Sequence, residues 1–301
     1  MTATPADAAS STHPTGASTP GVNVITIVHG RSAHLHNLIR GLEQSTVLAQ
    51  GLWVIHMNEP CAQLHSEHFP IHEVTLESST GLPLARARNA MLTLTAPGPW
   101  VFIDVDCIPG PQMLEHYLTA LGEYPHDLHL GAVRYLPEGA NAQGWDHASL
   151  QAQSVAHPLS VYRGDPGDEL DHALFWSLNF ACTREVFERV GGFDEGYTGY
   201  GAEDTDFAFR ARDRKVPLRV AQALAFHQYH PTYSPPLNHF QDIISNAMRF
   251  HQRWKVWPME GWLRSFAERG LIHWEGETLR VLRTPEQTEV DACFNTARQG
   301  F

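Results

Sequence analysis

Two aspartates separated by one residue follow a short apolar run, and their carboxylates could bind a divalent cation. The run is Trp100 to Ile103, and Asp104-Val105-Asp106 comes directly after it. If the run is a strand of an open α/β sheet, both carboxylates stand at its carboxyl end, where such sheets place ligands. Burying two like charges there is costly unless a cation joins them. A hard divalent ion, completed by diphosphate oxygens, satisfies this requirement, although an isolated D-x-D is also common as a polar turn.

A glycine-rich segment that ends in adjacent acids is the second candidate for chemistry. It reads GGFDEGYTGYGAEDTD from Gly191 to Asp206. Acids at a helix start suit the helix dipole, which explains some of the acids but not the glycines around the aromatic residues. Glycine permits positive φ and the close approach of a ligand. Adjacent Glu203 and Asp204 project in different directions, so one can hold an acceptor hydroxyl while the other removes its proton.

Two histidines follow a later apolar run and could complete a carboxylate metal site. The run, 216–226, leads into Phe226-His227-Gln228-Tyr229-His230-Pro231. A histidine near a strand end is more often structural than a ligand. Imidazole can nevertheless join carboxylates around an Mn²⁺-like ion. His230 lies three residues beyond His227, and one of the two is sufficient.

The elements that must position these residues follow an α/β pattern. A β-branched run at 22–28, helical spacing at 35–42 and a second apolar run at 52–56 predict a βαβ unit, and therefore a parallel sheet. Helices are predicted over 84–94, 113–121 and 203–212. Residues 137–172 show little periodicity, which predicts a long functional or mobile loop.

Composition limits the possible functions. The 301 residues contain 21 Lys+Arg and 33 Asp+Glu, a formal charge of −12, which argues against nucleic acid as a partner. No run of about 18 apolar residues and no signal sequence are found, so no transmembrane segment is expected. The four cysteines are far apart and form no zinc or disulfide pattern. A reduced, cytoplasmic location is therefore expected.

Taken together, the motifs resemble those of nucleotide-sugar glycosyltransferases of the GT-A fold, close to family 2. The resemblance covers roughly residues 22–235 and is carried by WVFIDVD, GGFDEGYTGYGAEDTDFAFR, FHQYHP and LARARNAM. The second block is the most specific and is similar to the one in galactosyltransferases and polypeptide N-acetylgalactosaminyltransferases. The resemblance implies a Rossmann-like α/β fold with a mixed, mostly parallel sheet flanked by helices.

The same resemblance implies a domain organisation. A disordered tail, 1–20, precedes the GT-A domain, 21–235, in which a nucleotide half of about 21–110 is followed by an acceptor half of about 111–235. A helical extension, 236–301, completes the chain. Its tryptophans are expected to pack a helical cap, and its basic residues suggest a weak attraction to anionic, lipid-linked acceptors.

The resemblance also assigns roles by position. Asp106 is expected to bind Mn²⁺ or Mg²⁺ together with His227 or His230. Asp204 matches the catalytic base of inverting members, and Glu203 stands beside it. Retaining relatives share much of this block, so stereochemistry stays open. The other candidate contacts of the nucleotide-sugar are His29, Gly30, Arg31, Asn58, Arg88, Asp104, Val105, Trp176, Asn179 and Gly201.

The expected reaction is metal-dependent transfer of a sugar from a nucleoside diphosphate donor, with UDP the commoner nucleotide, to a hydroxyl of a glycan, lipid-linked or small-molecule acceptor. The alternatives are a nucleotide-sugar hydrolase and a non-catalytic carbohydrate-binding protein on the same fold. This chain departs from the family pattern at Tyr200, where Trp is usual, and at Ala202, where Gly is usual. Asn58-Glu59 stands where family 2 often has an Asp that contacts the nucleotide base.

Overall fold

The computed structural model describes residues 21–79, 81–94, 98–142 and 144–295, so the predicted tail 1–20 lies outside the described residues. The apolar runs of the sequence form the strands of one large sheet and two small ones. The strands are β1 (Asn23–Val28), β2 (Gly51–Met57), β3 (Ile71–Leu76), β4 (Trp100–Ile103), β5 (Cys107–Pro109), β6 (Leu128–Tyr135), β7 (Val155–Ala156), β8 (Asn179–Cys182), β9 (Leu218–His227), β10 (Thr232–Tyr233), β11 (Ile272–Glu275), β12 (Thr278–Val281) and β13 (Phe294–Asn295).

The large sheet has the order β3-β2-β1-β4-β8-β6-β9-β5, and β7 pairs with β6. Strands β1 to β4 are parallel to one another, β8 is antiparallel to β4 and β6, and β9 is parallel to β6. The predicted mixed, mostly parallel α/β sheet is confirmed. Because β1, β2 and β4 are buried strands that run in one direction, their carboxyl ends meet at one edge.

Helices cover the sheet and continue beyond it. They are α1 (Ser32–Glu43), α2 (Leu84–Asn89), α3 (Met113–Glu123), α4 (His147–Gln153), α5 (Arg184–Val190), α6 (Glu203–Asp213), α7 (Phe240–Trp254), α8 (Glu260–Glu268) and α9 (Gln287–Ala292). The predicted extension is mainly helical, and it also contains the β11–β12 hairpin and β13, which pairs with β10. No helix among the described residues is long and apolar enough to cross a membrane.

The region predicted as a long loop, 137–172, is more ordered than its periodicity indicates. It contains α4, β7 and a 3₁₀ turn, Pro158–Tyr162. Asp146 and Ser149 form a capping box at the start of α4, and that local hydrogen bonding starts a helix that buries only Leu150. A helix with one buried side chain has no apolar stripe, so the pattern did not reveal it.

Separate apolar clusters lie on the two faces of the sheet and in the extension. One groups α1 and α3 with β1 and β2, and another packs an aromatic group from β4, β8, α5 and α6. A third lies within the extension, around Phe240, Leu263 and Phe266. The candidate functional side chains lie at the ends of strands that these clusters hold rigid.

Candidate functional site

Asp106, His227 and His230 come together in one cluster. Their ligand atoms all lie within 4.8 Å of one another. His227 Nε2 is 3.6 Å from Asp106 Oδ1, and His230 Nε2 is 3.3 Å from Asp106 Oδ2. The antiparallel pairing of β5 with β9 produces this proximity, because it places Cys107 opposite His227. The sequence left open which histidine faces the aspartate, and both do.

The donor set of this cluster fits a divalent metal ion. Asp106 Oδ1 is buried without a hydrogen-bond partner and faces His227 Nε2, an arrangement that is costly unless another ligand completes it. Burial alone would raise the pKa of Asp106, but His227, His230 and Arg31 outweigh it and hold that pKa below its usual range. Burial lowers the pKa of His227, which keeps its ring neutral and able to coordinate.

Gln228, between the two histidines, fixes the local backbone. Its buried side chain accepts hydrogen bonds from the amides of Asn37 and Asn141 and donates to the carbonyl of His34. Its backbone N–H donates to the carbonyl of Asp106. Sequence reasoning did not select Gln228; its position inside the histidine motif was the available signal.

Arg88 links the first acidic motif to the second. Its guanidinium is buried and lies 3.3 Å from Asp104 Oδ1 and 3.2 Å from Glu203 Oε1. The same group lies 5.2 Å from the centre of the Phe193 ring. Burial raises the pKa of Asp104 to about 6, since the nearby Asp106 opposes the effect of Arg88. A single buried cation thus partly compensates the charges of two carboxylates from distant segments.

Asp204 has a different environment from its neighbour. Its carboxylate accepts hydrogen bonds from the N–H and hydroxyl of Thr205, at 2.7 and 3.3 Å. Burial first, and the charge of Glu203 second, raise the pKa of Asp204 to about 7. A carboxyl group with this pKa can accept a proton near neutral pH.

The segment before these acids is held by the C-terminal extension. Asn246 of α7 is buried and donates to the carbonyls of Thr198 and Tyr200, at 3.0 and 3.2 Å. The next residue but one, Ala202, has φ +70° where the family pattern has glycine. The extension is therefore structurally continuous with the candidate site.

Further bonds from α7 reach the same glycine-rich block. Arg249 donates to both carboxylate oxygens of Asp194 at 3.0 Å, and Trp254 Nε1 donates to Asp206 at 2.8 Å. Asp206 is fully buried and also binds Arg210, so the last acid of the motif stabilises the fold. Arg249 and Arg253, two of the basic residues of the extension, pair with acids of this block.

The predicted nucleotide edge lies at the ends of β1 and β2. His29 Nδ1 is 2.7 Å from the carbonyl of Met57, and the N–H of Gly30 donates to Glu59 at 2.6 Å. Asn58 adopts φ +52° and its side chain bonds to Ser78 and Gly81. Arg31, also at this edge, is close enough for its charge to act on Asp106.

The structure does not bring every predicted residue to this edge. Asn179 is buried within the sheet, where it accepts from Tyr117 and donates to the carbonyls of Ala132 and Ala223. Its amide is therefore used in packing. Trp176 lies beside His157, with ring centres 4.7 Å apart, in a small cavity. Val105 is buried between the two aspartates, and Gly201 approaches Met259 of the extension.

Comparisons with known proteins find similarity to a galactosyltransferase family and to a glucosyltransferase. The family described as the N-terminal domain of galactosyltransferase matches residues 160–234. Validoxylamine A glucosyltransferase of Streptomyces hygroscopicus subsp. jinggangensis is 24% identical over 227 residues, which cover 67% of this chain and 54% of that protein. The chain thus spans about half the length of the curated relatives it matches.

Solved structures give the fold. GalNAc-T7 with UDP, GalNAc and Mn²⁺ has a TM-score of 0.53 at 14% identity, covering 83% of this chain and 55% of that one. S. aureus TarS 1-349 has a TM-score of 0.50 at 14% identity, covering 77% and 65%. The resemblance to GT-A glycosyltransferases is confirmed. In this fold the carboxyl ends of β1, β2 and β4 lie beside the cluster of Asp106, His227 and His230 and beside the acids Glu203 and Asp204 of α6.

Proposed function

We propose that this protein is a metal-dependent glycosyltransferase that moves a sugar from a UDP-sugar to a hydroxyl of an acceptor. One observation carries the proposal: the cluster of Asp106, His227 and His230 lies beside the carboxylates that Arg88 joins, next to the base-like Asp204. The solved relatives hold UDP with Mn²⁺ in one case and UDP-GlcNAc in another. The acceptor class is a glycan, a lipid-linked sugar or a small molecule.

Asp106, His227 and His230 would hold the cation. Two imidazoles and one carboxylate favour Mn²⁺ over Mg²⁺, which prefers oxygen ligands. When bound, the ion supplies Lewis-acid stabilisation of the charge that develops on the departing nucleoside diphosphate. The buried Oδ1 of Asp106, which lacks a hydrogen-bond partner, fits a site that is completed by a ligand.

Other residues of this chain would position the substrates and transfer the proton. Arg88 fixes Asp104 toward the donor and Glu203 toward the acceptor side. Asp204, held by the N–H of Thr205, takes the proton of the acceptor hydroxyl as that oxygen attacks the anomeric carbon. The glycosidic bond to the diphosphate breaks as the new bond forms, so the sugar is inverted.

A donor screen tests this function. Purified protein is incubated with UDP- and GDP-sugars and Mn²⁺, with and without candidate acceptors, and nucleoside diphosphate release is measured. We expect release that requires metal, an acceptor and Asp204, and that EDTA and Asp106→Ala abolish. Fast release that no acceptor accelerates would instead identify a nucleotide-sugar hydrolase. Binding of free sugars with no affinity for UDP would identify a carbohydrate-binding protein.

A further inference from the structure

The loop 58–70, between β2 and β3, brings three metal-ligand side chains together in a group separate from the Asp106 cluster. A ring nitrogen of His56, Sγ of Cys61 and a carboxylate oxygen of Glu73 all lie within 4.8 Å of one another. His56 belongs to β2, and its register partner in β3 is Thr75, two residues after Glu73. Residues two apart in a strand share a face of the sheet, so His56 and Glu73 lie on one face. Cys61 reaches the same place from the loop, with Sγ 3.4 Å from Oγ1 of Thr75.

His56 is buried, and each of its ring nitrogens faces a carboxylate. Nε2 lies 2.8 Å from Oε2 of Glu73, and Nδ1 lies 3.3 Å from Oε1 of Glu59. An ionised carboxylate only accepts hydrogen bonds, and a neutral imidazole has one N–H to donate. The ring therefore satisfies both acids only as an imidazolium or with a metal ion bound to one of its nitrogens.

Glu59 has the position of the outer partner of a metal-bound histidine. Such a histidine usually donates its second ring N–H to a carboxylate, which fixes the orientation of the ring. Glu59 is itself held in place, because its Oε2 accepts from the N–H of Gly30 at 2.6 Å. With the N–H at Nδ1 directed to Glu59, the nitrogen left to coordinate is Nε2, which faces Glu73.

Two backbone N–H groups orient the Glu73 carboxylate. Ala62 donates to Oε2 and Leu64 donates to Oε1, both at 2.7 Å. Carboxylates that bind metals are themselves hydrogen-bonded in this way, and both bonds can persist when an ion replaces the contact with His56. The same bonds hold the loop, and Cys61 with it, next to β3.

The spacing of the three side chains fits Zn²⁺ after a small adjustment. Tetrahedral zinc separates a nitrogen and an oxygen ligand by about 3.3 Å, and a sulfur and a nitrogen ligand by about 3.5 Å. Nε2 of His56 and Oε2 of Glu73 are 2.8 Å apart, so they must separate by about half an ångström. Cys61 must approach by little more than about 1 Å, which its exposed position in the loop allows.

We infer that His56, Cys61 and Glu73 bind Zn²⁺, with water as the fourth ligand, and that the ion fixes the loop 58–70 against the sheet. Thiolate ligands select zinc, whereas Mn²⁺ prefers oxygen ligands. The coordinated group is the thiolate, so binding releases the thiol proton of Cys61 to solvent. Cysteine spacing does not reveal this site, because it contains a single cysteine.

Co²⁺ is the spectroscopic probe for this site, because a thiolate bound to Co²⁺ gives a near-ultraviolet charge-transfer band that carboxylate and imidazole ligands do not give. The full chain is titrated with Co²⁺ in a buffer with a phosphine reductant and no chelator, and Zn²⁺ is then added to displace the Co²⁺. The proteins are the wild type, Cys61→Ser, Glu59→Gln and His65→Ala. His65 is an exposed histidine of the same loop and is the control for adventitious surface binding.

We expect the thiolate band in the wild type, Glu59→Gln and His65→Ala, and no band in Cys61→Ser, which should fold because Cys61 is exposed. The Zn²⁺ affinity measured by displacement should fall about tenfold or more in Glu59→Gln, as for other outer partners, and stay unchanged in His65→Ala. Zn²⁺ should raise the unfolding temperature of the wild type and His65→Ala but not of Cys61→Ser.

Three results would overturn the inference. If the wild type gives no thiolate band, His56 is only paired with its two acids and holds no ion. If the band persists in Cys61→Ser, the thiolate belongs to another cysteine. If His65→Ala loses as much Zn²⁺ affinity as Cys61→Ser, the ion binds adventitiously to surface histidines. None of these outcomes depends on UDP or on Mn²⁺, so this inference can fail while the proposed function stands.

Discussion

Glu203 and Asp204 are adjacent carboxylates with different partners, a cation for Glu203 and neutral hydrogen-bond donors for Asp204. This difference decides what each can do. Arg88 lies 3.2 Å from Glu203, so that carboxylate is held in place by a buried cation. Asp204 is held by neutral Thr205 donors, and burial and Glu203 raise its pKa. A carboxyl group with a raised pKa is typical of general acid–base sites.

The raised pKa of Asp204 predicts a pH dependence. With a pKa of about 7 in place of its ordinary value of 3.8, Asp204 is largely protonated below pH 7 and cannot act as a base there. We expect kcat/KM of the free enzyme to fall tenfold per pH unit below about pH 7. The measurement is the pH profile of nucleoside diphosphate release; a flat profile from pH 5 to 8 would contradict the assignment.

Asp204→Asn should abolish transfer while making the fold more stable in alkali. The folded-state pKa lies above the unfolded value, so the wild type loses stability as pH rises from about 4 to about 7, and the loss stays constant above that. Asparagine removes that ionisation. We expect a higher unfolding temperature than wild type at pH 8 and little difference at pH 4, together with at least a 1,000-fold loss of kcat, on the order expected for a lost base.

Arg88 is the residue whose loss should cost the most stability. Arg88→Met leaves Asp104 and Glu203 without their cation, and breaking a buried pair in this way costs about 3–5 kcal/mol. Urea unfolding at pH 7 measures the loss, which should shrink at pH 5, below the pKa of about 6 of Asp104. The control is Arg184→Met, because the Arg184–Glu188 pair is exposed and contributes about 1 kcal/mol or less.

At the scale of elements, α7 connects the C-terminal extension by hydrogen bonds to the segment that precedes Glu203 and Asp204. Asn246 donates to carbonyls on both sides of Gly199, whose φ is +68°. Trp254, two helical turns later on the same helix, donates to Asp206. The turn that presents Glu203 and Asp204 therefore depends on hydrogen bonds from more than 40 residues downstream.

Asn246→Asp tests this dependence, because a carboxylate keeps the shape but cannot donate to the two carbonyls. We expect about 1–3 kcal/mol lower unfolding free energy per unsatisfied buried group and a lower kcat with little change in donor KM. The control is Ser245→Ala, at an exposed position of α7. If the unfolding free energy falls by the expected amount but kcat is unchanged, Asn246 stabilises the fold and does not position the site.

Ala202 tests the strain in the same turn. Its φ of +70° costs an alanine about 1–2 kcal/mol relative to glycine. Ala202→Gly should therefore leave the unfolding free energy unchanged or raise it, despite losing a buried methyl group. Ala208→Gly, at a buried position inside α6, should lose about 1 kcal/mol. Equal losses in both variants, measured by urea unfolding, would contradict the strain.

At the scale of the whole molecule, the features that follow from local sequence patterns were predictable, whereas those that depend on long-range contacts were not. The strands β1, β2 and β4 and the residues at their ends follow from apolar runs, and the motifs identified Asp106, His227 and Asp204. The structural roles of Asp206 and Asn246 arise from contacts 48 residues apart, which no local pattern encodes. Asn179 was selected from its position at a strand end, and its amide is engaged by hydrogen bonds inside the sheet, so its predicted sugar contact stays a prediction.

Two groups of side chains in the described chain have metal-ligand spacing, and we expect that only one binds Mn²⁺. The second group is His56, Cys61 and Glu73. There the Glu73 carboxylate already accepts hydrogen bonds from Ala62, Leu64 and His56, all within 2.8 Å. At Asp106, by contrast, a buried carboxylate oxygen lacks a hydrogen-bond partner.

Mn²⁺ should therefore stabilise the molecule through the Asp106 cluster alone. At 100 times its dissociation constant a bound ion adds about 2.7 kcal/mol to the unfolding free energy. We expect His227→Ala to abolish this gain and Cys61→Ser to leave it intact, as measured by thermal unfolding with Mn²⁺ or EDTA. If Cys61→Ser removes the gain and His227→Ala does not, the ion binds at the His56, Cys61 and Glu73 group, and the metal role of Asp106 is wrong.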